Sequence, residues 1–585
     1  MDASSLLSRH LPLSARPSPF FAMSAERQDL FFSLALTALP RPMINPLCRM
    51  IIARLEHRIP GLKDRLRPLD GKKVFIQPKD LTVGFLLSFS NGHPHLTATS
   101  PEFFSTRDDI DAHLEASLEV FFRLLHGESD GDALFFSRDL KVDGDMSVVV
   151  ALRNAMDGVG EDLLRDVFSL PEPFRHLFNR AGGIANRCLD RIIDPFLKKT
   201  TRLAEHLAAM QAEIDILQQK ASLKEAASVS DSPVFATADH LKNTPDVATT
   251  PKQAIELLAP AGTPAALRAA VDAGADAVYL GFRDETNARN YPGLNFSRDD
   301  LKAGLEYAHE RGRRVHVAIN TYAAAGHMDS WYKAIDTAAE LGADALIMAD
   351  MGLLSYASQH YPDLSRHLSV QAGASTPAAI QFYYEMFGIN RMVLPRMFTL
   401  DEIAVLKEKA PIEIETFIFG SLSPMSEGRC ALSAYATGRS PNLCGVCSPA
   451  EHVRYKNQDG VLVSQLGDFM INRFNEGESA GYPTLCKGRY IPEGGEASYL
   501  FEKPECLNAA EYIASLRAAG VTSFKIEGRQ RSRFYTTEVV SCFRALLDAE
   551  ASGKSVESMP DVLNRLRKLA EGGEETRGAY RKGWR

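Results

Sequence analysis

The sequence predicts two folded parts: an α+β domain, then an α/β domain of (β/α)8-barrel type with a cysteine-bearing insertion between its seventh and eighth strands. Three observations predict this. The chain has 585 residues, more than one hydrophobic core usually supports. Residues 226–253, rich in Ser, Thr, Ala, Asp and Pro and without sustained periodicity, divide it as a flexible linker would. Beyond that stretch, eight short apolar runs alternate with helical patterns, the mark of a parallel sheet buried on both faces.

Residues 1–29 read as an N-terminal extension. Within residues 30–165, KVFIQP, LTVGFLLSFS, HLTATS and LFFSRDLKVDGD read as strands joined by turns. DIDAHLEASLEVFFRLLHG and MSVVVALRNAMDGV read as amphipathic helices. The apolar surplus here, including Phe85, Leu86, Leu87, Phe89, Phe121 and Phe122, is either ordinary core material or the lining of a lipid cavity. The segment from Leu30 to Leu47 has the composition of a peripheral membrane anchor or of a buried domain helix. Residues 166–225 extend the domain with a helical period at Leu203, Leu207, Met210, Ile214 and Leu217. The parts on either side of the linker are expected to fold independently.

In residues 254–585 the runs lie at 255–259, 277–281, 314–320, 345–350, 368–373, 391–395, 412–420 and 523–528. Eight exceed the five or six strands of a common open doubly wound sheet, so a closed barrel is expected. Barrel chemistry is done where strands end at their C-termini, and the insertion at about 421–522 emerges there. Asn320, Asp350, Gln371, Arg396, Glu415, Glu527 and Arg529 follow or end the runs, and either converge on one mouth or simply mark where strands meet solvent.

Hydrophobic residues make up 45% and charged residues 24%, which excludes wholesale disorder and collagen-like arrays. The 66 basic and 74 acidic residues give a net charge of -8, so no overall field attracts a polyanion and no nucleic acid is expected. No stretch approaches the ~18 apolar residues of a spanning helix. The opening MDASSLLSRHLPLSARPSPFF lacks the apolar core of a secretory signal, and a cytoplasmic protein is expected.

Eight cysteines are too few and too uneven for a disulfide framework. Four of them, Cys430, Cys444, Cys447 and Cys486, crowd into the insertion. One C-x-x-C and two dispersed thiols suit an iron-sulfur cluster; zinc and unliganded thiols remain the alternatives on spacing alone.

The stretches ELLAPAG, GADAVYLGFRDETNARNYPGLNF, HVAINTYA, GADALIMAD, HLSVQAGAS, MVLPR, FGSLSPMSEGRC, GVCSPA, GYPTLCKGRY and FKIEGRQRS closely resemble the collagenase-like peptidase family, in its UbiU branch. LKVDGDMSVVVALRNAMD resembles the sterol-carrier-type lipid-binding domain of UbiT-like accessory factors. The resemblance implies a natural fusion serving oxygen-independent ubiquinone biosynthesis. Its activity would be anaerobic hydroxylation of the aromatic ring of ubiquinone precursors, with a 4Fe-4S cluster as cofactor. Implied partners are a UbiV-like related barrel protein in a heterodimer, the prenylated precursor and other quinone-pathway enzymes. Tethering the lipid carrier raises its effective concentration at the barrel to roughly millimolar.

By the same resemblance Cys430, Cys447 and Cys486 match three of the four cluster ligands, while the fourth family position is Ser423 here. Either Cys444 completes the set, or Ser423 ligates, or one iron stays open; a thiolate is the softer and commoner ligand. Relatives that hydroxylate transfer-RNA uridine take their oxygen from prephenate, a small dicarboxylate. A similar donor here would call for Arg289, Arg396, Lys525 and Arg529 at the mouth. Glu527 is a candidate acid or base, or the holder of an arginine. Asn287, His316, Asn320 and Gln371 complete the candidate catalytic set, with core burial the alternative fate of His316. The rival functions are transfer-RNA uridine hydroxylation and a non-catalytic lipid-presenting scaffold. The sequence has no HExxH, so peptide cleavage is not expected despite the family name.

Overall fold

The computed structural model describes residues 41–59, 61–100, 109–126, 134–135, 137–156, 255–323, 325–425, 427–458, 460–571 and 574–581. The expected N-terminal extension, the helical extension at 166–225 and the linker lie outside them.

The first part contributes β1 (Lys73–Pro78), β2 (Gly84–Ser90), β3 (His93–Thr99), β4 (Ala112–Ala116) and β5 (Lys141–Asp145), with helices at Arg41–Arg58, Leu118–His126 and Met146–Met156. Between β2 and β3 both Asn91 and Gly92 take positive φ (54° and 75°), as a two-residue hairpin turn of mirror-image type requires. One expectation fails: DIDAHLEASLEVFFRLLHG is not a single helix. Ala112, Leu114 and Ala116 alternate inward with period two and form β4, parallel to β1. The helix begins at Leu118, whose N–H donates to the Asp80 carboxylate at 2.9 Å. Ile44, Leu47 and Cys48 are buried, which makes Arg41–Arg58 a domain helix; residues 30–40, the rest of the segment read as an anchor or a buried helix, lie outside the described residues. Among the described residues no helix is long and apolar enough to cross a membrane.

The barrel strands are β6 (Glu256–Pro260), β7 (Ala277–Gly281), β8 (Arg314–Ile319), β9 (Ala345–Met348), β10 (Ser365–Leu368), β11 (Arg391–Val393) and β12 (Glu413–Ser421). The insertion follows with β13 (Val453–Gln458), β14 (Val461–Leu466), β15 (Phe469–Phe474), β16 (Arg489–Tyr490), β17 (Ser498–Tyr499) and β18 (Cys506–Asn508). Then come the eighth barrel strand, β19 (Ser523–Ile526), and the short β20 (Glu575–Thr576). Parallel pairing runs from β6 through β12 to β19 and back to β6, which closes the ring. Strands β6, β7 and β9 are buried at every position, as a sheet covered by helices demands. The fifth strand ends earlier than its sequence suggests. At Ser369 the side chain accepts from Gln371 N–H, and Gly373 adopts φ 60°, turning VQAG into a 3-10 turn at the mouth.

The two parts do not fold as independent units. β13, β14 and β15 form a meander that adds to the open edge of the first domain, with Arg454 opposite Asp145 and Tyr455 opposite Gly144. A single eight-stranded sheet results, in the order β15-β14-β13-β5-β4-β1-β2-β3. Tyr455, Leu462, Ile471 and Phe474 share one apolar core with Leu114, Phe135, Met146 and Val150. A meander with one apolar face must bury it against something, and the sterol-carrier-like part supplies that surface.

Candidate functional site

A cavity of about 560 Å³ starts among apolar side chains of the first domain, including Leu55, Leu87, Phe89, Phe121 and Met146. Of the expected lining residues Leu87, Phe89 and Phe121 take part; Phe85 and Leu86 do not, and the Phe122 side chain lies outside the described residues. Strand alternation separates Leu86 from Leu87 and Phe89 on β2, while Phe85 shares their face but, nearer the strand's start, is only partly covered and does not reach the cavity. The same cavity continues to Cys430, Cys447 and Cys486 and to the barrel mouth at Arg289, Arg396 and Glu527.

The three cysteines come from separate loops of the insertion. Gly445, with φ 82°, lays the Cys447 loop on the barrel: a Cβ there would meet Asn287 O at 2.2 Å. Tyr291 and Tyr482 hydroxyls donate to the carbonyls of Cys447 (3.4 Å) and Ser448 (3.0 Å). Cys486 sits in the 3-10 turn Leu485–Lys487, with its sulfur 3.5 Å from Thr484 Oγ1. Burial pushes the Cys447 thiol up to about 12, and Cys486 and Cys430 add to the shift. The sulfurs therefore act on one another's ionisation. Among the described residues they are not gathered as a single ion requires, since thiolates on one zinc stand within about 4 Å of each other. All three line one cavity, and thiolates are the donors that zinc and iron-sulfur centres take. Ser423 lines the cavity and donates its hydroxyl to Met425 O at 3.1 Å. Cys444 ends the short helix Pro441–Cys444, and its side chain lies outside the described residues.

A second, smaller cavity of about 70 Å³ lies within the barrel mouth. Seven of the expected residues line it: Arg289, Asn320, Gln371, Arg396, Lys525, Glu527 and Arg529. Lys525 donates to Glu415 at 2.7 Å and stands 4.1 Å from the Tyr279 ring centre. Burial lowers its pKa, and burial brings Arg529 down to about 10. For Glu527 burial acts upward, but Arg289 and Arg396 outweigh it and hold the carboxyl below its usual range. Arg289 approaches Glu527 at 3.6 Å, and Arg396 donates to Glu427 at 2.5 Å.

Other expected residues fall elsewhere. Asn287 is fully buried and braces its loop, donating to Phe282 O at 2.6 Å and accepting from Arg289 N–H at 3.0 Å. His316 lies inside the barrel, away from the mouth, with its ring 4.8 Å from that of His367. Burial pulls its pKa down to about 4. Glu415 also faces the interior, between Lys525 and Arg391, and Asp350 caps the helix Met351–His360. Sequence reasoning passed over Glu427, although it stands in the SEGRC stretch three residues before Cys430. It also passed over Lys487, next to Cys486, which is buried and paired with Glu571 at 3.4 Å.

Comparison with known proteins gives two family matches: peptidase family U32 over residues 262–582 and the SCP-2 sterol transfer family over residues 52–157. The tRNA hydroxylation protein P of Haemophilus influenzae is 33% identical over 335 residues, 53% of this chain and 71% of that protein. The protein of the same name from Escherichia coli is 32% identical over 337 residues, 54% and 73% of the two chains. The Escherichia coli 23S rRNA 5-hydroxycytidine C2501 synthase is 30% identical over 298 residues, 50% of this chain and 39% of that one.

Proposed function

Because the chain belongs to peptidase family U32 and carries an SCP-2 sterol-transfer domain ahead of its barrel, we propose that it hydroxylates the aromatic ring of a prenylated ubiquinone precursor without dioxygen. One observation carries this reading: the apolar interior of the sterol-carrier domain and the cysteine-lined barrel mouth are a single cavity. A greasy tail lies among Leu87, Phe89 and Phe121, and its ring reaches the barrel without crossing water.

Cys430, Cys447 and Cys486, with Cys444 as fourth ligand, hold a 4Fe-4S cluster in this proposal. Such a cluster supplies electron transfer or a Lewis-acidic iron. Arg289, Arg396, Lys525 and Arg529 bind the carboxylates of a small oxygen donor such as prephenate, at a site where exclusion of water strengthens each contact. Glu527, kept ionised, orients Arg289 rather than donating a proton. A UbiV-like barrel completes the active heterodimer, in contact with other quinone-pathway enzymes and, peripherally, with the membrane that holds their substrates.

The relatives' names favour RNA as substrate; the apolar approach to this mouth favours a lipid. Solvent extraction of protein purified without air, followed by mass spectrometry, separates the two. Prenylated phenols together with four irons and four sulfides per chain are expected, and the phenols are converted to hydroxylated product when the partner and donor are added. Co-purifying tRNA without any prenylated phenol would sink the proposal.

A further inference from the structure

We propose that the barrel encloses an inner chamber whose small anionic ligand must load before the lipid and is released only after the lipid has left. The inference rests on the large cavity taking an apolar substrate. It adds an order of binding.

The two cavities share one face. Ala288, Arg289, Gln371, Arg396, Glu427 and Glu527 line both, and the Arg289–Glu527 and Arg396–Glu427 pairs stand in that face as a polar collar. The remaining walls of the chamber, among them Tyr279, Ser369, Val393 and Phe417, are buried. Asn320 is the one partly exposed side chain outside the collar. It is tied in place, accepting from Ala288 N–H at 2.9 Å and donating to Ser369 Oγ at 3.3 Å.

The floor is closed by buried ion pairs and a buried hydrogen bond. Lys525 donates to Glu415, Arg391 reaches Glu415 at 3.3 Å, and Ser523 donates to Glu256 at 2.8 Å. Opening that floor would strand several charges in an apolar interior, which strongly disfavours it. The collar is therefore the way in and out. A ring lying at the cysteines and mouth covers it from the other side.

The cations of the chamber identify the chemistry of the ligand. Arg289, Arg396, Lys525 and Arg529 all line it, and Arg529 is 3% exposed, with its Nη1 beside Gly281 and Asn287 and the rest of the guanidinium left to the chamber. Buried cations around one small space are costly unless an anion meets them. The nearby carboxylates are engaged elsewhere: Glu415 by Lys525, Glu427 by Arg396 and Glu527 by Arg289. A chamber of 70 Å³ holds about five water-sized groups, the room a compact carboxylate needs.

The test uses the full-length chain, labelled malonate as the anion and farnesylphenol as the lipid. Malonate is bound first, the lipid cavity is then saturated or left empty, and release is followed after an unlabelled chase. At least tenfold slower release with lipid present is expected, as is equally slowed uptake when lipid is added first. Arg529→Gln should weaken malonate binding at least tenfold while farnesylphenol binding is unchanged. Should that variant fail to fold, the wild-type release rates alone still decide the order. Equal release rates with and without bound lipid would overturn the order alone. Wild-type protein that binds no malonate, or a folded Arg529→Gln that binds it normally, would overturn the chamber. Failure of farnesylphenol to bind would bring down the functional reading together with the order.

Discussion

Tyr455→Ala tests whether two families' domains share one core. The side chain is fully buried on β13, its hydroxyl donates to Gly481 O at 2.9 Å, and its ring meets Phe135 edge-on with centroids 4.7 Å apart. Truncating a buried aromatic ring costs roughly 3–5 kcal/mol. Losing the hydroxyl's hydrogen bond adds about 1 kcal/mol. The expected total is about 5 kcal/mol, a large fraction of the stability of an ordinary domain. Tyr455→Phe isolates the hydroxyl and should cost only about 1 kcal/mol. A double-mutant cycle with Phe135→Leu should show a coupling near 1 kcal/mol, the usual worth of an edge-to-face pair. Urea unfolding, followed by far-ultraviolet circular dichroism and tryptophan fluorescence, reads all three. Because Tyr455 belongs to the barrel insertion and Phe135 to the sterol-carrier part, both probes should report the loss together. A loss under 1 kcal/mol for Tyr455→Ala, or zero coupling with Phe135, would refute the shared core.

Three further outcomes follow from the structure. Cleaving the chain within residues 226–253 should leave both parts co-migrating on gel filtration, since β5 and β13 still pair; separate soluble halves would contradict the common sheet. Cys430→Ala and Cys486→Ala should each lose bound iron and colour while keeping the circular dichroism of the fold, and unchanged iron content in either would exclude that thiol as a ligand. His316 carries a pH effect with a definite sign. Its folded value of about 4 lies below the ordinary 6.5, so the unfolded chain binds the proton more readily. That stability is fully present above pH 6.5 and falls as pH drops toward 4, by about 2 kcal/mol at pH 5. Glu256, held near 2 because His316 and Arg391 outweigh the upward effect of burial, adds stability that is fully present above about pH 4.5 and is lost as pH falls toward 2. In urea titrations at pH 7.5 and 5, His316→Gln should show a clearly smaller drop than wild type; an equal drop would remove His316 as a source.

Much of the barrel is legible in the sequence because a strand buried on both faces must be apolar throughout. AVYLG and ALIM announce themselves as strands without reference to any neighbour. Thr263, Ser297 and Thr399 cap the helices that follow, again by local chemistry. Five of the mouth residues, Asn320, Gln371, Arg396, Glu527 and Arg529, are readable for a similar reason: a polar residue just past an apolar strand is placed by the strand itself. His316 and Glu415 mislead because alternation within a strand turns a side chain inward, and only the packed ring shows that the interior can accept charge. In ALIM nothing polar raises that question.

The sequence by itself determined the strands, the caps, the crowding of thiols and the apolar surplus of the first domain, since each depends on residues close together in the chain. The tertiary structure decided that the insertion's meander completes the first domain's sheet, that two ion pairs divide the mouth into two cavities, and that the larger of these reaches from Phe89 to Cys486. Those depend on where distant surfaces meet. Hydrophobic pattern says that a face must be buried, but many partners satisfy it equally, and the choice among them is made by shape and pairing across hundreds of residues.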